Sequence, residues 1–189
     1  KDKYEEHVQF LIDQGAPISG LGIQSRIKVR IPPKTLYASL ERLAKFKLPI
    51  KATEFEVADT PRKMFDEQER AEITHEMLTT YFSHPNVTGF YVWTIFQNGT
   101  GPTRAGNKPN HGWTSFMIHD DGRLKRNGLV WKYLTQELWD TDIKCLTDAK
   151  GQLKIRGFKG DYKITIKHEG KTSVKTYRLL EDSNQSFSL

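Results

Sequence analysis

Two glutamates interrupt an otherwise apolar run. In Pro49-Ile-Lys-Ala-Thr-Glu54-Phe-Glu56-Val-Ala-Asp59 the β-branched and aromatic residues and the leading proline read as a strand, yet Glu54 and Glu56 fall where a buried strand is apolar. Side chains alternate across a strand, which predicts Ile50, Ala52, Glu54 and Glu56 on one face and Lys51, Thr53, Phe55 and Val57 on the other. Carboxylates held late on one face can serve as acid, base or nucleophile. The competing reading places them past the buried part of the strand, in salt bridges. Two further segments carry compatible chemistry. In Gly20-Leu-Gly-Ile-Gln24-Ser-Arg26-Ile, Gln24 and Arg26 share a face, and in Val87-Thr-Gly-Phe-Tyr-Val-Trp93 the alternation groups Val87, Gly89, Tyr91 and Trp93. Carboxylates for acid and base work, an amide and a guanidinium for hydroxyls, and an indole face for a pyranose ring together compose a sugar site. For Trp93 the competing reading is ordinary core packing.

Helices must hold these strands in place. Tyr4, Val8, Leu11 and Ile12 repeat at helical spacing, and Gly15 suits a left-handed stop. Pro32 and Pro33 open a second helix with Leu36, Leu40 and Leu43 on one face. A third runs from Asp66 toward Pro85, and a last one from Leu124 to Trp139 despite Gly128. Strands starting near residues 20, 49 and 87, alternating with helices, describe a parallel α/β sheet of the kind found in a TIM (β/α)8 barrel, whose active sites lie at the C-terminal ends of the strands. Three such units cannot close a barrel, so the expected fold is a partial one over residues 1–145. Residues 146–180 alternate over Leu153–Phe158, Asp161–Lys167 and Ser173–Leu179, which predicts a small antiparallel β appendage of three strands. Residues 181–189 read as a polar, disordered tail.

Composition narrows the classes. The chain has 189 residues, a net charge of +6 and a pI near 9.3, but its basic residues are interleaved with acids along the length, so nucleic acid is not an expected partner. No run of about 18 apolar residues exists, so no membrane span is expected. Lys1–Gly15 lacks the apolar run of a secretory signal, and Lys rather than Met at position 1 points to a processed chain or a fragment. The single Cys145 excludes an internal disulfide and has no neighbouring ligands, so no metal site is predicted.

Gly20-Leu-Gly-Ile-Gln24-Ser25, Leu48-Pro-Ile-Lys-Ala-Thr53-Glu54-Phe-Glu56-Val57 and His84-Pro-Asn-Val-Thr-Gly-Phe-Tyr-Val-Trp93, with Asp121-Gly-Arg-Leu-Lys125 closing, occur in an order that resembles the C-terminal half of family 10 glycoside hydrolases, the endo-β-1,4-xylanases. The resemblance covers residues 4–140, about the last three βα units of that barrel, and the appendage is similar to a trailing extension of some members. It implies a retaining mechanism on xylan-type polysaccharide with Glu54 as nucleophile, Gln24 beside it, Trp93 lining the sugar subsites and Trp113 as a possible second rim aromatic. It implies no metal or organic cofactor, and an extracellular location. The family's acid/base glutamate belongs to an Asn-Glu pair on an earlier strand, and no Asn-Glu occurs in these 189 residues. The N-terminal half of the barrel is therefore an expected missing partner, and this polypeptide alone is expected to be inactive.

Arg26 stands where the family has a histidine. A guanidinium paired with Glu54 would make it a poorer nucleophile and could intrude on the sugar, so the alternative is a non-catalytic glycan-binding relative. A third reading is an unrelated basic module whose polyanion affinity falls steeply with salt.

Overall fold

The carboxylate-bearing run is the strand around which the first unit is built. The computed structural model describes residues 2–59, 64–95, 117–119 and 121–187, and the chain divides after Tyr133 into two units. In the first unit the strands are β1 (Leu21–Ile23), β2 (Arg26–Ile27), β3 (Ile50–Val57) and β4 (Val87–Val92). Among these four strands all pairing is parallel and all of it is to β3. β1 and β2 follow each other along one edge, Leu21 opposite Ile50 and Arg26 opposite Glu56, while β4 takes the other edge. The strand expected over Gly20–Ile27 is thus two short strands, broken at Ser25, whose φ is +61°.

The register along β4 corrects the alternation assumed for β3. Ala52 lies opposite Phe90 and Phe55 opposite Val92, three steps on β3 against two on β4, so β3 carries one extra residue there, while between Ile50 and Lys51 the extra residue is on β4. Such a bulge shifts the parity of every side chain beyond it. Ile50, Ala52, Phe55 and Val57 are accordingly the apolar residues that are almost fully buried, whereas Lys51 and Thr53 are exposed. Ile50 and Ala52, expected beside the glutamates, lie on the covered face instead. There Phe55 and Phe90 both meet the Trp131 ring, at centroid distances of 6.0 and 5.3 Å.

The helices are α1 (Asp2–Asp13), α2 (Pro33–Ala44), α3 (Glu67–Ser83) and α4 (Arg126–Tyr133). In α2 a proline occupies the first turn and Leu36, Leu40 and Leu43 are buried. In α3 Asp66 accepts from the Glu69 amide at 2.8 Å while the Glu69 carboxylate accepts from the Asp66 amide at 3.2 Å, a reciprocal cap that fixes where the helix starts. Gly15 ends the first helix at φ +74°. Of the face expected on α1, Val8 is buried but Tyr4 and Ile12 are exposed. Buried Glu5 holds the helix to α2 through Arg42 at 2.7 Å and Lys45 at 2.8 Å.

Gly128 is required by packing. A Cβ there would lie 2.4 Å from the Met117 carbonyl oxygen, so α4 reaches its neighbour only because the side chain is absent. As an α-helix α4 ends at Tyr133, short of the expected Trp139.

The second unit begins with a π-helical turn, Leu134–Leu138, and contains one antiparallel hairpin of β5 (Gly160–His168) and β6 (Lys171–Leu179). Glu169 and Gly170 both have positive φ, +46° and +77°, as a two-residue turn matched to strand twist requires. The third strand expected at Leu153–Phe158 is absent. That segment packs as irregular chain, with the Phe158 amide donating to Thr141 Oγ1 at 3.2 Å and the Tyr162 hydroxyl to the Phe158 carbonyl. The tail expected to be disordered folds back as far as it is described, Phe187 meeting the Tyr177 ring at 6.3 Å. Cys145 is exposed, and no helix among the described residues is long and apolar enough to cross a membrane.

Gly128→Ala is expected to destabilise the first unit by about 1–3 kcal/mol, because backbone and not a flexible side chain stands in the way. A lowered denaturant midpoint checks it.

Candidate functional site

β3 delivers Glu54 from within its bulge and Glu56 just past it, and β2 and the residue after β4 deliver Arg26 and Trp93 to the same end of the sheet. Arg26 donates through Nε at 2.9 Å and Nη2 at 2.5 Å to Oε2 of Glu54, and its Nη1 lies 3.8 Å from Glu56 Oε2. Its guanidinium carbon stands 5.0 Å from the centroid of the Trp93 ring. Trp93 is held in register by its own amide, which donates to the Phe55 carbonyl at 2.8 Å. One cation thus joins two carboxylates and an indole contributed by three strands. Glu54 is about a quarter exposed and Glu56 almost closed off, with side-chain exposures of 26% and 5%, so Glu54 is the carboxylate that a ligand can reach.

The break at Ser25 serves this arrangement. Gln24 and Ser25 are outside the strands, but their carbonyls still accept from the amides of Glu54 at 3.0 Å and Glu56 at 3.4 Å, so the ladder runs through the kink. Gln24 is exposed and is tied to Glu54 through the backbone. Trp113 lies outside the described residues, as does the loop from Gln97 to Gly112. Further down the open face Lys51 Nζ sits 6.0 Å above the Tyr91 ring, and the Thr53 hydroxyl donates to the Ile23 carbonyl at 3.2 Å.

Two buried ties behind the rim escape a strand-by-strand reading. Arg70, on α3, donates Nη2 to both carboxylate oxygens of Asp59 at 2.8 Å and to the Phe65 carbonyl at 2.9 Å, and Nη1 to the Val57 carbonyl. Asp59 also accepts from the Phe65 amide at 2.9 Å. This fully hydrogen-bonded ion pair pins the end of β3 to the helix. The second tie is the Tyr81 hydroxyl, which donates to Ser25 Oγ at 2.8 Å and so fixes the kink. Arg70, Ile73, Met77 and Tyr81 recur at three- and four-residue spacing on the buried side of α3. Arg70 could therefore have been found as the one charge on that stripe.

Among the described residues no group of three or more His, Cys, Asp and Glu could hold a metal ion. The rim presents a partly exposed carboxylate and an indole, and Arg26 engages both.

Parallel βα units with a polar cluster at the C-terminal ends of the strands define part of a (β/α)8 barrel, and comparison with known proteins agrees. Residues 1–107 match the family described as Glycosyl hydrolase family 10; the chain belongs to that family. It is 27% identical over 192 residues to Endo-1,4-beta-xylanase 1 of Arabidopsis thaliana, covering 97% of this chain and 18% of the plant protein. It is also 30% identical over 164 residues to Anti-sigma-I factor RsgI6 of Acetivibrio thermocellus, covering 87% and 20%. The chain therefore spans about a fifth of the length of these relatives. Among solved structures, xylanase 10B from Thermotoga petrophila in complex with xylobiose superposes with a TM-score of 0.55 at 20% identity, over 69% of this chain and 40% of the xylanase. Xylanase 10B from Thermotoga maritima gives 0.54 at 20% identity, over 68% and 40%. These likenesses establish the fold as a partial TIM barrel.

Asp59→Asn leaves Arg70 buried beside a neutral partner and is expected to cost about 3–5 kcal/mol, with Asp59→Leu/Arg70→Met recovering much of it; urea unfolding of the single and double variants checks this. Burial raises the Tyr81 phenol above its ordinary value of 10.0, and the hydrogen bond to Ser25 draws it partly back. A folded-state value above the unfolded one gives stability that is complete below about pH 10 and is lost as pH rises through the folded value. Tyr81→Phe is expected to cost about 1 kcal/mol at neutral pH and to remove this alkaline loss, read from urea midpoints on both sides of pH 10.

Proposed function

We propose that this chain supplies part of the substrate-binding rim of a glycoside hydrolase acting on β-1,4-xylan-type polysaccharide, with Glu54 as the nucleophile of a retaining double displacement. The observation that carries the reading is the convergence of Glu54, Arg26 and Trp93 at the C-terminal ends of adjacent parallel strands. Glu54 would attack the anomeric carbon to form a glycosyl-enzyme, and a second carboxyl group about 5–5.5 Å away would protonate the leaving oxygen and then activate water. Glu56 is a poor candidate for that second role, being closed off and turned toward the same guanidinium. The acid/base is assigned to the remaining strands of the barrel, so the 189 residues alone are expected not to hydrolyse xylan. Family membership and the polysaccharide substrate make an extracellular site of action the natural one.

Arg26 favours a second reading. Glu54 Oε2 already accepts two hydrogen bonds from the guanidinium, which also lies over the Trp93 ring where a sugar would stack. For attack on a sugar, Arg26 must release the carboxylate and leave the indole. If it does neither, the rim binds glycan without turning it over.

In a longer protein containing this chain, xylo-oligosaccharide release is expected to fall about 10³-fold or more in Glu54→Gln, as for loss of a nucleophile, and an unchanged rate would refute the assignment. Arg26→His is expected to raise the rate and tighten xylohexaose binding measured by calorimetry. Xylohexaose binding with no release in either form supports the second reading, and no binding in either form removes both.

A further inference from the structure

One segment of the second unit is strongly basic, although the unit as a whole, with ten lysines and arginines against eight acids, carries only +2. Between positions 144 and 178 ten lysines and arginines stand against three acids, an excess of seven, while the whole chain carries +6, so the remainder is nearly neutral. The three acids are already engaged. Asp161 grips Arg178 through two hydrogen bonds of 2.6 and 2.9 Å, Asp148 accepts from the amides of Lys150 and Gln152, and Glu169 lies 3.8 Å from His168. No described acid lies within salt-bridge distance of the lysines of the hairpin.

The hairpin register sorts these residues by face. Lys163 lies opposite Thr176, Thr165 opposite Val174 and Lys167 opposite Thr172, and all six are exposed. The other face carries Tyr162, Ile164 and Tyr177, which are half-buried. Lys163 and Lys167 are four residues apart on one strand, about 13 Å at the usual rise. Threonine hydroxyls stand between and beside them, and Lys171 follows at the turn.

We propose that this face of the hairpin binds an acidic polysaccharide, a polymer whose sugar rings carry carboxylates. The lysines would neutralise the carboxylates and the threonines would hydrogen-bond ring hydroxyls, and release of counterions from the polymer drives the association. The face has no aromatic residue, so it lacks the stacking platform that single-stranded nucleic acid uses. The choice of a polysaccharide over another polyanion rests on family membership and is independent of the role of Glu54.

The test uses the full 189-residue chain in affinity electrophoresis and calorimetry with polygalacturonate, alongside unsubstituted xylan and a DNA duplex. Binding to polygalacturonate is expected at about 20 mM NaCl, falling about tenfold or more by about 300 mM. The Lys163→Gln/Lys167→Gln/Lys171→Gln chain is expected to bind about tenfold more weakly with an unchanged circular dichroism spectrum. Lys3→Gln/Lys28→Gln/Lys34→Gln, with the same change of net charge in exposed positions of the first unit, is expected to bind as the parent does. No binding at low salt, equal losses in the two triple variants, or tighter binding to the duplex than to polygalacturonate would overturn the proposal.

Discussion

The rim depends on one extra residue in β3. Strict alternation would put Glu54 on the same side as Ile50 and Ala52, and those two are buried under the helices. A carboxylate there would be taken out of water with no partner, at a cost of several kcal/mol. The bulge between Ala52 and Phe55 lets the strand keep an apolar underside while turning its last polar side chains toward Arg26. Bulges of this kind re-aim side chains next to functional sites. Here it reconciles two demands on one strand, a core that must be apolar and a rim that must carry charge.

What holds the bulge in place is the layer behind it. Arg70 satisfies the Val57 carbonyl and the Asp59 carboxylate at the end of β3, and Tyr81 reaches the kink at Ser25 beside β2. Both side chains come from α3, whose start is set by the Asp66 and Glu69 cap. The strand that carries the carboxylates and the kink that carries Arg26 are therefore positioned by one helix. Such precision, from packed elements and not from loops, is what a catalytic or binding constellation needs.

Much of this was legible in the residues, for reasons that can be named. The leucines of α2, the start of α3 at Asp66 and the stop at Gly15 are local signals, and local chemistry decided them. Gln24, Arg26, Glu54 and Trp93 were expected together because parallel strands place their ends together; Arg26, Glu54 and Trp93 do meet, whereas Gln24 reaches Glu54 through its backbone carbonyl. The break at Ser25 was not, because a left-handed serine leaves no mark in a pattern of polar and apolar residues. The parity of β3 was misread for a similar reason: Lys51 and Thr53 as exposed residues, and Ile50 and Ala52 as buried ones, make sense only once the register against β4 is known. The strand expected at Leu153–Phe158 had the right alternation, but the segment is irregular and the Phe158 amide donates to the Thr141 hydroxyl. Gly128 looked like a defect in a helix because the carbonyl of Met117, which demands it, is distant in sequence.

The tie from Tyr81 to Ser25 reaches further than stability. It makes the interior of α3 and the outer rim a single genetic unit: a change at the helix position alters the seat of Arg26, and a change at the kink strands a buried hydroxyl. Substitutions at the two places should be epistatic, each tolerated mainly in the company of the other. Grafting this rim onto another barrel would then require carrying its third helix along.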